Sequence, residues 1–526
     1  MEHFLKDSSE SLREKVVLLD FGGQYSMLIA RRVREAGVYC EMLPCDTSWK
    51  KILEHSPVGI IFSGSPASVY QEKAPRVDPA IYEGGVPILG ICYGMHLLAG
   101  DLGGEVKKGS RSEYGRTSFT IEEPEPLFKD ASFRDDSFCN GWMSHQDEVL
   151  SPPPGFNVLA RTENNTMAAI GNHAQKIYGV QFHPEVFHTP GGNNVLQNFL
   201  FEVCHCSKTW TPRSFIEDAT ARIRQVIGGQ EKVVCALSGG VDSSVVAFLL
   251  DKAVAHRVVY IFVDHGLLRL DEAKEVVKLY REKLQGEFLH IDARERFLNR
   301  LAGVKDPEEK RKIIGNEFIA VFKENALSRG DISYLAQGTI YPDVIESGSA
   351  CGAAVIKSHH NVGGLPEELG FELIEPLREL FKDEVRLVGS ELGLPDSILK
   401  RQPFPGPGLA VRIIGAVSAE KLSLLQKADA IFRNEVTKAG LADQLWQYFA
   451  VLTDVNVVGV KGDDRHYGPV IALRAVVSED AMTADWAKLS LDLLGKISAR
   501  ITGEIPEVAR VVYDITSKPP GTIEWE

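Results

Sequence analysis

Val233-Val234-Cys235-Ala236-Leu237-Ser238-Gly239-Gly240-Val241-Asp242-Ser243-Ser244-Val245-Val246-Ala247-Phe248-Leu249-Leu250 runs from one apolar stretch through a glycine–serine turn into another. The first stretch reads as a buried strand, and the second as the opening turns of a packed helix. A glycine turn between strand and helix exposes backbone N–H groups at the positive end of the helix, where they can close around phosphate. Ser238, Ser243 and Ser244 add hydroxyl donors, Gly239, Gly240 and Val241 supply the turn, and Asp242 can hold a magnesium ion that neutralises phosphate charge. No Gly-Lys-Ser/Thr follows, so this is not a Walker loop.

Outward from this loop, residues 258–263 predict the next strand, ending at Asp264, and 333–336 predict another. A helix is expected over 214–227. Alternating strands and helices imply an α/β fold with a mostly parallel sheet. Residues 347–364 are rich in Gly, Ala, Ser and His, and a loop of that length suits a lid or binding loop. Arg401-Gln402-Pro403-Phe404-Pro405-Gly406-Pro407-Gly408 breaks any regular element. Beyond it, strands are expected at 409–414, 447–458, 470–477 and 508–515, and helices at 419–439 and 486–501, which makes a small α+β domain. Upstream, Val16-Val17-Leu18-Leu19 starts a second α/β segment with a helix through Arg34 and short strands near 59–62 and 87–91. That segment closes near Cys206, and Ser207-Lys208-Thr209-Trp210-Thr211-Pro212 reads as a linker. The expected domains are 15–206, 207–401 and 402–526.

The chain has 526 residues, of which 44% are hydrophobic and 25% charged, as in an ordinary folded protein. Its formal net charge of −14 argues against a general nucleic-acid surface. Eight cysteines are scattered along it. Only Cys204-His205-Cys206 is closely spaced, and without a second pair it suggests neither a zinc site nor a disulfide framework. A reducing cytoplasm is the natural compartment. Residues 1–15 carry no apolar signal core, and no apolar run approaches a membrane span.

Gly90-Ile91-Cys92-Tyr93-Gly94-Met95 places a cysteine directly after an apolar strand with glycine on each side. This is a nucleophile-elbow layout, and the helix end that follows favours thiolate. Gln181-Phe182-His183-Pro184-Glu185 follows the strand expected at 177–180, so His183 can act as base for Cys92 and Glu185 can orient the imidazole.

With these residues the first segment resembles the class I glutamine amidotransferases, which release ammonia from glutamine through a thioester. The resemblance makes Cys92, His183 and Glu185 the catalytic triad. It assigns Phe62-Ser63-Gly64-Ser65-Pro66 to the oxyanion loop, with Ser65 and Tyr93 as the oxyanion residues. Three positions depart from the pattern. Ser65 replaces a glycine, and a positive φ there would strain it. His96 replaces a glutamine that contacts substrate, and Gln146 in Met143-Ser144-His145-Gln146-Asp147 replaces a glycine. Altered glutamine affinity is the expectation.

The 238–244 loop resembles that of the ATP pyrophosphatases, which split ATP between its α- and β-phosphates. Further distinctive stretches are Lys310-Arg311-Lys312-Ile313-Ile314-Gly315, Gln337-Gly338-Thr339-Ile340-Tyr341-Pro342-Asp343, Lys357-Ser358-His359-His360-Asn361 and Lys518-Pro519-Pro520-Gly521-Thr522-Ile523-Glu524-Trp525-Glu526. From about Lys15 onward the chain resembles the family of fused amidotransferase–pyrophosphatase ligases that aminate XMP to GMP in purine biosynthesis.

The resemblance implies XMP, ATP and glutamine as substrates, Mg2+ with ATP, no tightly bound cofactor, no nucleic-acid or membrane partner, and a homodimer formed through 402–526. It places Val263 near adenine and assigns XMP to Arg311, Lys518, Thr522, Ile523 and Glu524. The lid would carry Asp343, Glu346, Lys357, His359 and His360, with Lys357 stabilising α-phosphate charge. Other pyrophosphate-loop enzymes (tRNA thiolases, asparagine or NAD synthetases), a nucleotide-binding regulator, and an ammonia-dependent synthetase with an impaired glutaminase remain alternatives.

Overall fold

Val16, Val17, Leu18 and Leu19 are all fully buried, as an uninterrupted apolar run must be when a parallel strand is covered on both faces. They lie in β1 (Lys15–Asp20), near one edge of a nine-stranded sheet. A computed structural model describes residues 14–129, 139–330, 332–347, 370–461, 464–478 and 483–526. The chain divides into two compact units, one holding the residues up to Asp218 and the other those from Ala219 onward, with a short stretch starting at Pro342 grouped with the first.

In the first unit β1, β2 (Tyr39–Pro44), β3 (Pro57–Phe62), β4 (Ile88–Ile91) and β9 (Ile177–Val180) form a parallel half. An antiparallel half follows: β8 (Met167–Asn172), β7 (Asn157–Thr162), β5 (Glu105–Ile121) and β6 (Cys139–Ser151). The full order is β2-β1-β3-β4-β9-β8-β7-β5-β6. Strand β4 passes through Cys92 into the helix Tyr93–Asp101. A Cβ on Gly90 would lie 2.5 Å from the Gly94 carbonyl carbon, and one on Gly94 would lie 2.6 Å from Phe62 O. Glycine at both positions lets the helix sit directly on the strand. The expected linker packs on its own unit, since Trp210 N donates to Gly37 O at 2.9 Å and the indole lies 4.8 Å from the Tyr39 ring.

In the second unit β12 (Glu287–Asp292), β11 (Val258–Asp264), β10 (Lys232–Leu237), β13 (Ile332–Ala336) and β14 (Glu372–Ile374) form a five-stranded parallel sheet in that order. The helix Val241–Val254 starts at once after the glycine turn. A second sheet follows: the long antiparallel hairpin of β15 (Gln447–Lys461) and β16 (Asp464–Val477), with β17 (Asp485–Trp486) and β18 (Arg510–Tyr513) on β16. One apolar core runs through both layers, from Val234 and Val263 to Leu409, Phe432, Leu473 and Val508.

Two expected elements differ. Residues 409–414 are not a strand, because Gly408–Arg412 is a 3-10 turn. Gly408 sits at φ +64, where a Cβ would lie 2.3 Å from Leu267 O, and Leu409 N donates to that same oxygen at 2.8 Å. The apolar run is therefore buried as a turn against a loop, and Ile413 alone bridges to Leu452. The helix expected over 486–501 is Leu491–Glu504, capped by the Ser490 hydroxyl, while Trp486 pairs with Val476 as strand. Among the described residues no helix is long and apolar enough to cross a membrane.

Candidate active sites

Cys92 adopts φ +53 between strand and helix, a conformation L residues avoid. The residue follows the C-terminal end of β4, and its N–H donates to Val180 O at 2.8 Å. His183 enters from the end of β9. Its Nδ1 donates to Glu185 Oε1 at 2.7 Å, and the Glu185 side chain is fully buried. Burial disfavours charge on His183, but the Glu185 carboxylate and the Cys92 sulfur outweigh it and hold its pKa well above the usual value. The backbone of His183 is pinned on both sides: its N–H donates to Trp142 O at 3.0 Å and its carbonyl accepts from Thr189 Oγ1 at 2.7 Å. Gly64 opens the space between nucleophile and base, since a Cβ there would lie 3.4 Å from His183 Cε1 and 3.9 Å from Cys92 Cβ. The three triad candidates and the 62–66 loop are thus brought together, with Tyr93 the first residue of the helix beside them.

The departing positions look different in three dimensions. Ser65 is not among the described residues with positive φ, so the expected strain is absent. Its hydroxyl accepts from Ala67 N at 3.3 Å and closes a small turn. Gln146 is exposed and its amide donates to Tyr114 OH at 2.9 Å. His96 is buried, one helical turn after Cys92, and its Nε2 lies 2.6 Å from Gln181 Oε1. The Gln181 amide nitrogen faces Cys92 Sγ at 3.9 Å. Sequence reasoning gave Gln181 no role, although 181 and 183 share one side of an extended chain. It also missed the buried pair Glu113 and His145, 3.3 Å apart, because nothing local links β5 to β6.

The second site is the 238–244 loop. Ser238 Oγ and Ser243 Oγ lie 3.0 Å apart, Gly240 N donates to Ser238 Oγ at 3.2 Å, and Ser244 Oγ donates to Gly240 O at 2.7 Å. Gly239 takes φ +74, which only glycine adopts freely. Lys382 Nζ pairs with Asp242 Oδ2 at 2.5 Å, while Asp242 Oδ1 is buried without a hydrogen-bond partner among the described residues. A Cβ on Gly338 would lie 3.1 Å from Asp242 Cβ, so the 337–339 segment passes directly beside this carboxylate. Val263 is buried near the end of β11. Arg401, which sequence reasoning passed over, donates from Nη1 to Gly239 O and pairs through Nη2 with Glu272. Burial and neighbouring guanidinium groups lower its pKa to about 9.

The tail segment is tied down. Lys518 exchanges backbone hydrogen bonds with Ala484. Arg474, fully buried, donates to the carbonyls of Thr516, Thr522 and Ile523. Ile523 packs on Phe449, Val451 and Ala472. Glu524 accepts from Arg412 Nη2 at 2.7 Å, Arg412 Nε at 3.1 Å and Gln447 Nε2 at 2.8 Å. Glu526 Oε2 lies 2.6 Å from the fully buried Lys310 Nζ. Arg311, its neighbour on the helix Pro307–Leu327, pairs instead with Glu308 at 3.7 Å. Asp343 lies on the helix Tyr341–Ser347. Lys357, His359, His360 and the side chain of Glu346 lie outside the described residues. Among the described residues no group of three or more His, Cys, Asp or Glu side chains is placed to hold a metal ion.

Residues 17–203 match the family described as glutamine amidotransferase class-I, 434–525 match the GMP synthase C terminal domain, and 231–277 match the tRNA methyl transferase HUP domain. A protein of Caldicellulosiruptor saccharolyticus named GMP synthase (glutamine-hydrolyzing) is 58% identical over 514 residues, 98% of this chain and 99% of that one. Proteins of the same name are 58% identical in Carboxydothermus hydrogenoformans and 57% identical in Symbiobacterium thermophilum, each covering 98% of this chain and, respectively, 100% and 99% of the relative.

Proposed function

The chain belongs to the glutamine-hydrolysing GMP synthases, and from that premise we propose how its own residues divide the work. The enzyme is a carbon–nitrogen ligase: glutamine supplies ammonia, ATP adenylates the O2 of XMP with release of pyrophosphate, and ammonia displaces AMP at C2 to give GMP.

In the first unit Cys92 Sγ attacks the glutamine carbonyl carbon. The oxyanion accepts from the N–H groups of Tyr93 and Ser65, and protonated His183 gives its proton to the departing nitrogen. Water then cleaves the thioester, with His183 as base and Glu185 holding the imidazole. In the second unit residues 238–244 enclose the ATP phosphates and Val263 borders the adenine. Magnesium would sit at Asp242, whose buried Oδ1 has no hydrogen-bond partner among the described residues while Oδ2 is held by Lys382, and would neutralise phosphate charge there. Arg311, Lys518, Thr522, Ile523 and Glu524 would take XMP, which requires Glu524 to give up Arg412 or share it. Asp343, Glu346, Lys357, His359 and His360 would form the lid, with Lys357 at the α-phosphate.

We assign glutamine hydrolysis to 15–206, adenylation to 207–401, and dimerisation with completion of the XMP site to 402–526. Val458 and Tyr467 are cross-strand partners on the hairpin, and both are exposed together with Val460. That apolar face suits a second copy of the chain. Residence in the cytoplasm fits a sequence whose eight cysteines are scattered rather than set out as a disulfide framework.

The observation that carries the glutaminase assignment is the buried His183–Glu185 pair beside a strained Cys92. Its test is GMP formation from XMP, ATP and magnesium with glutamine or ammonium. Wild type should use both, and Cys92→Ala should keep only the ammonium reaction. GMP from ammonium alone in the wild type would replace this reading with an impaired glutaminase, and GMP from neither would remove it.

A further inference from the structure

Behind the sulfur of Cys92 two buried side chains stand in line. Gln181 is fully buried and directs its amide nitrogen at Sγ, 3.9 Å away. Its oxygen lies 2.6 Å from His96 Nε2. A carboxamide oxygen can only accept, so Nε2 of His96 carries the proton, and the NH2 of Gln181 is left for the sulfur. With the amide turned over, a second oxygen would join the Ser144 carbonyl, 3.8 Å from the sulfur, and oppose a thiolate. An imidazole protonated on Nε2 fits only this orientation. His96 is itself fixed to the nucleophile, its N–H donating to Cys92 O at 3.2 Å. Burial, with the His145 ring also opposing charge, lowers the pKa of His96 to about 4, so the relay adds no cation beside the sulfur at neutral pH. Around it stand Cys92, whose carbonyl takes the His96 N–H, and His145, whose ring lies 6.3 Å away, while Asp147, held by Tyr70 OH at 2.7 Å, acts on it electrostatically.

We propose that His96 and Gln181 form a positioning relay that aims an amide N–H at the sulfur of Cys92 and stabilises its anionic form. This rests on Cys92 being the glutaminase nucleophile. It also gives His96 a role where the family pattern has glutamine: a glutamine at 96 would still present an N–H to Gln181 Oε1, and an apolar residue would not.

The test is peptide-resolved alkylation of Cys92 by iodoacetamide from about pH 6 to 9, which reads the thiolate, together with kcat and KM for glutamine. His96→Leu and the similarly sized Gln181→Met should each slow alkylation at neutral pH by about tenfold, the worth of one lost hydrogen bond to a charged group. Glutamine kcat should fall in parallel, with KM changed less than about twofold. His96→Gln should restore both. Alkylation at the wild-type rate in a folded His96→Leu or Gln181→Met protein overturns the relay. So does a raised KM at unchanged kcat, which would make His96 a substrate contact. Ammonium-dependent GMP formation by the same samples reports on the proposed reaction separately, since alkylation requires no turnover.

Discussion

His96 has a second consequence, for stability. Its pKa is about 4 in the folded protein, against about 6.5 in an unfolded chain. Between those values the unfolded chain binds the extra proton, so this contribution is whole above the unfolded value and lost as pH falls toward the folded one. The loss amounts to about 3 kcal/mol. Thermal unfolding of the wild type should therefore weaken from about pH 6.5 down to 4, and His96→Gln should flatten that slope. His265, buried in the second unit and also lowered to about 4, leaves a residual slope that His96→Gln does not touch. At this scale residue names suggest the proposed triad but not its environment. Cys92, His183 and Glu185 stand within short motifs whose spacing carries their geometry. Ser65 looked strained because a glycine was expected there, yet φ depends on the path of the loop and is not written in the residue's name.

At the scale of elements, the junction of β4 with the helix Tyr93–Asp101 has no room for a methyl group. Gly94→Ala would set its Cβ 2.6 Å from Phe62 O, a backbone atom that cannot swing away. We expect a destabilisation of about 3 kcal/mol, seen as an earlier urea transition of the first unit, and loss of glutamine hydrolysis with ammonium-dependent synthesis retained. In the phosphate loop, Arg401→Ala frees the Gly239 carbonyl and leaves the buried Glu272 to Arg269. KM for ATP should rise by about tenfold, the worth of a charged hydrogen bond, while glutamine hydrolysis stays unchanged. Strands such as 16–19 and 177–180 were legible because a covered parallel strand must be apolar throughout. The run 409–414 is equally apolar but buries itself as a turn, and composition does not separate the two. The partners of the loop, Lys382 and Arg401, lie 140 and 162 residues away from the atoms they hold, beyond any local signal.

Across the whole molecule, buried cations wait for the tail. Lys310, Arg412 and Arg474 are each fully buried and take carboxylates or carbonyls from residues 516–526. Glu524→Ala would leave Arg412 without its carboxylate, a loss of about 3–5 kcal/mol that urea unfolding of the second unit should show, with XMP binding weakened as well. Val458→Lys together with Val460→Lys should turn a dimer into a monomer by light scattering and leave glutamine hydrolysis intact; an unchanged mass would remove the hairpin from the proposed interface. The same long-range logic bears on gene architecture. One apolar core of the first unit spans Val17 to Ile177, and the core of the second runs unbroken from Val234 to Val508. A coding sequence split between codons 206 and 212, ahead of the helix Pro212–Val226, would leave each of these cores within one polypeptide, and the halves could be expressed as separate subunits. A split near codon 401 would divide one interior between two products, neither of which could fold until it met the other.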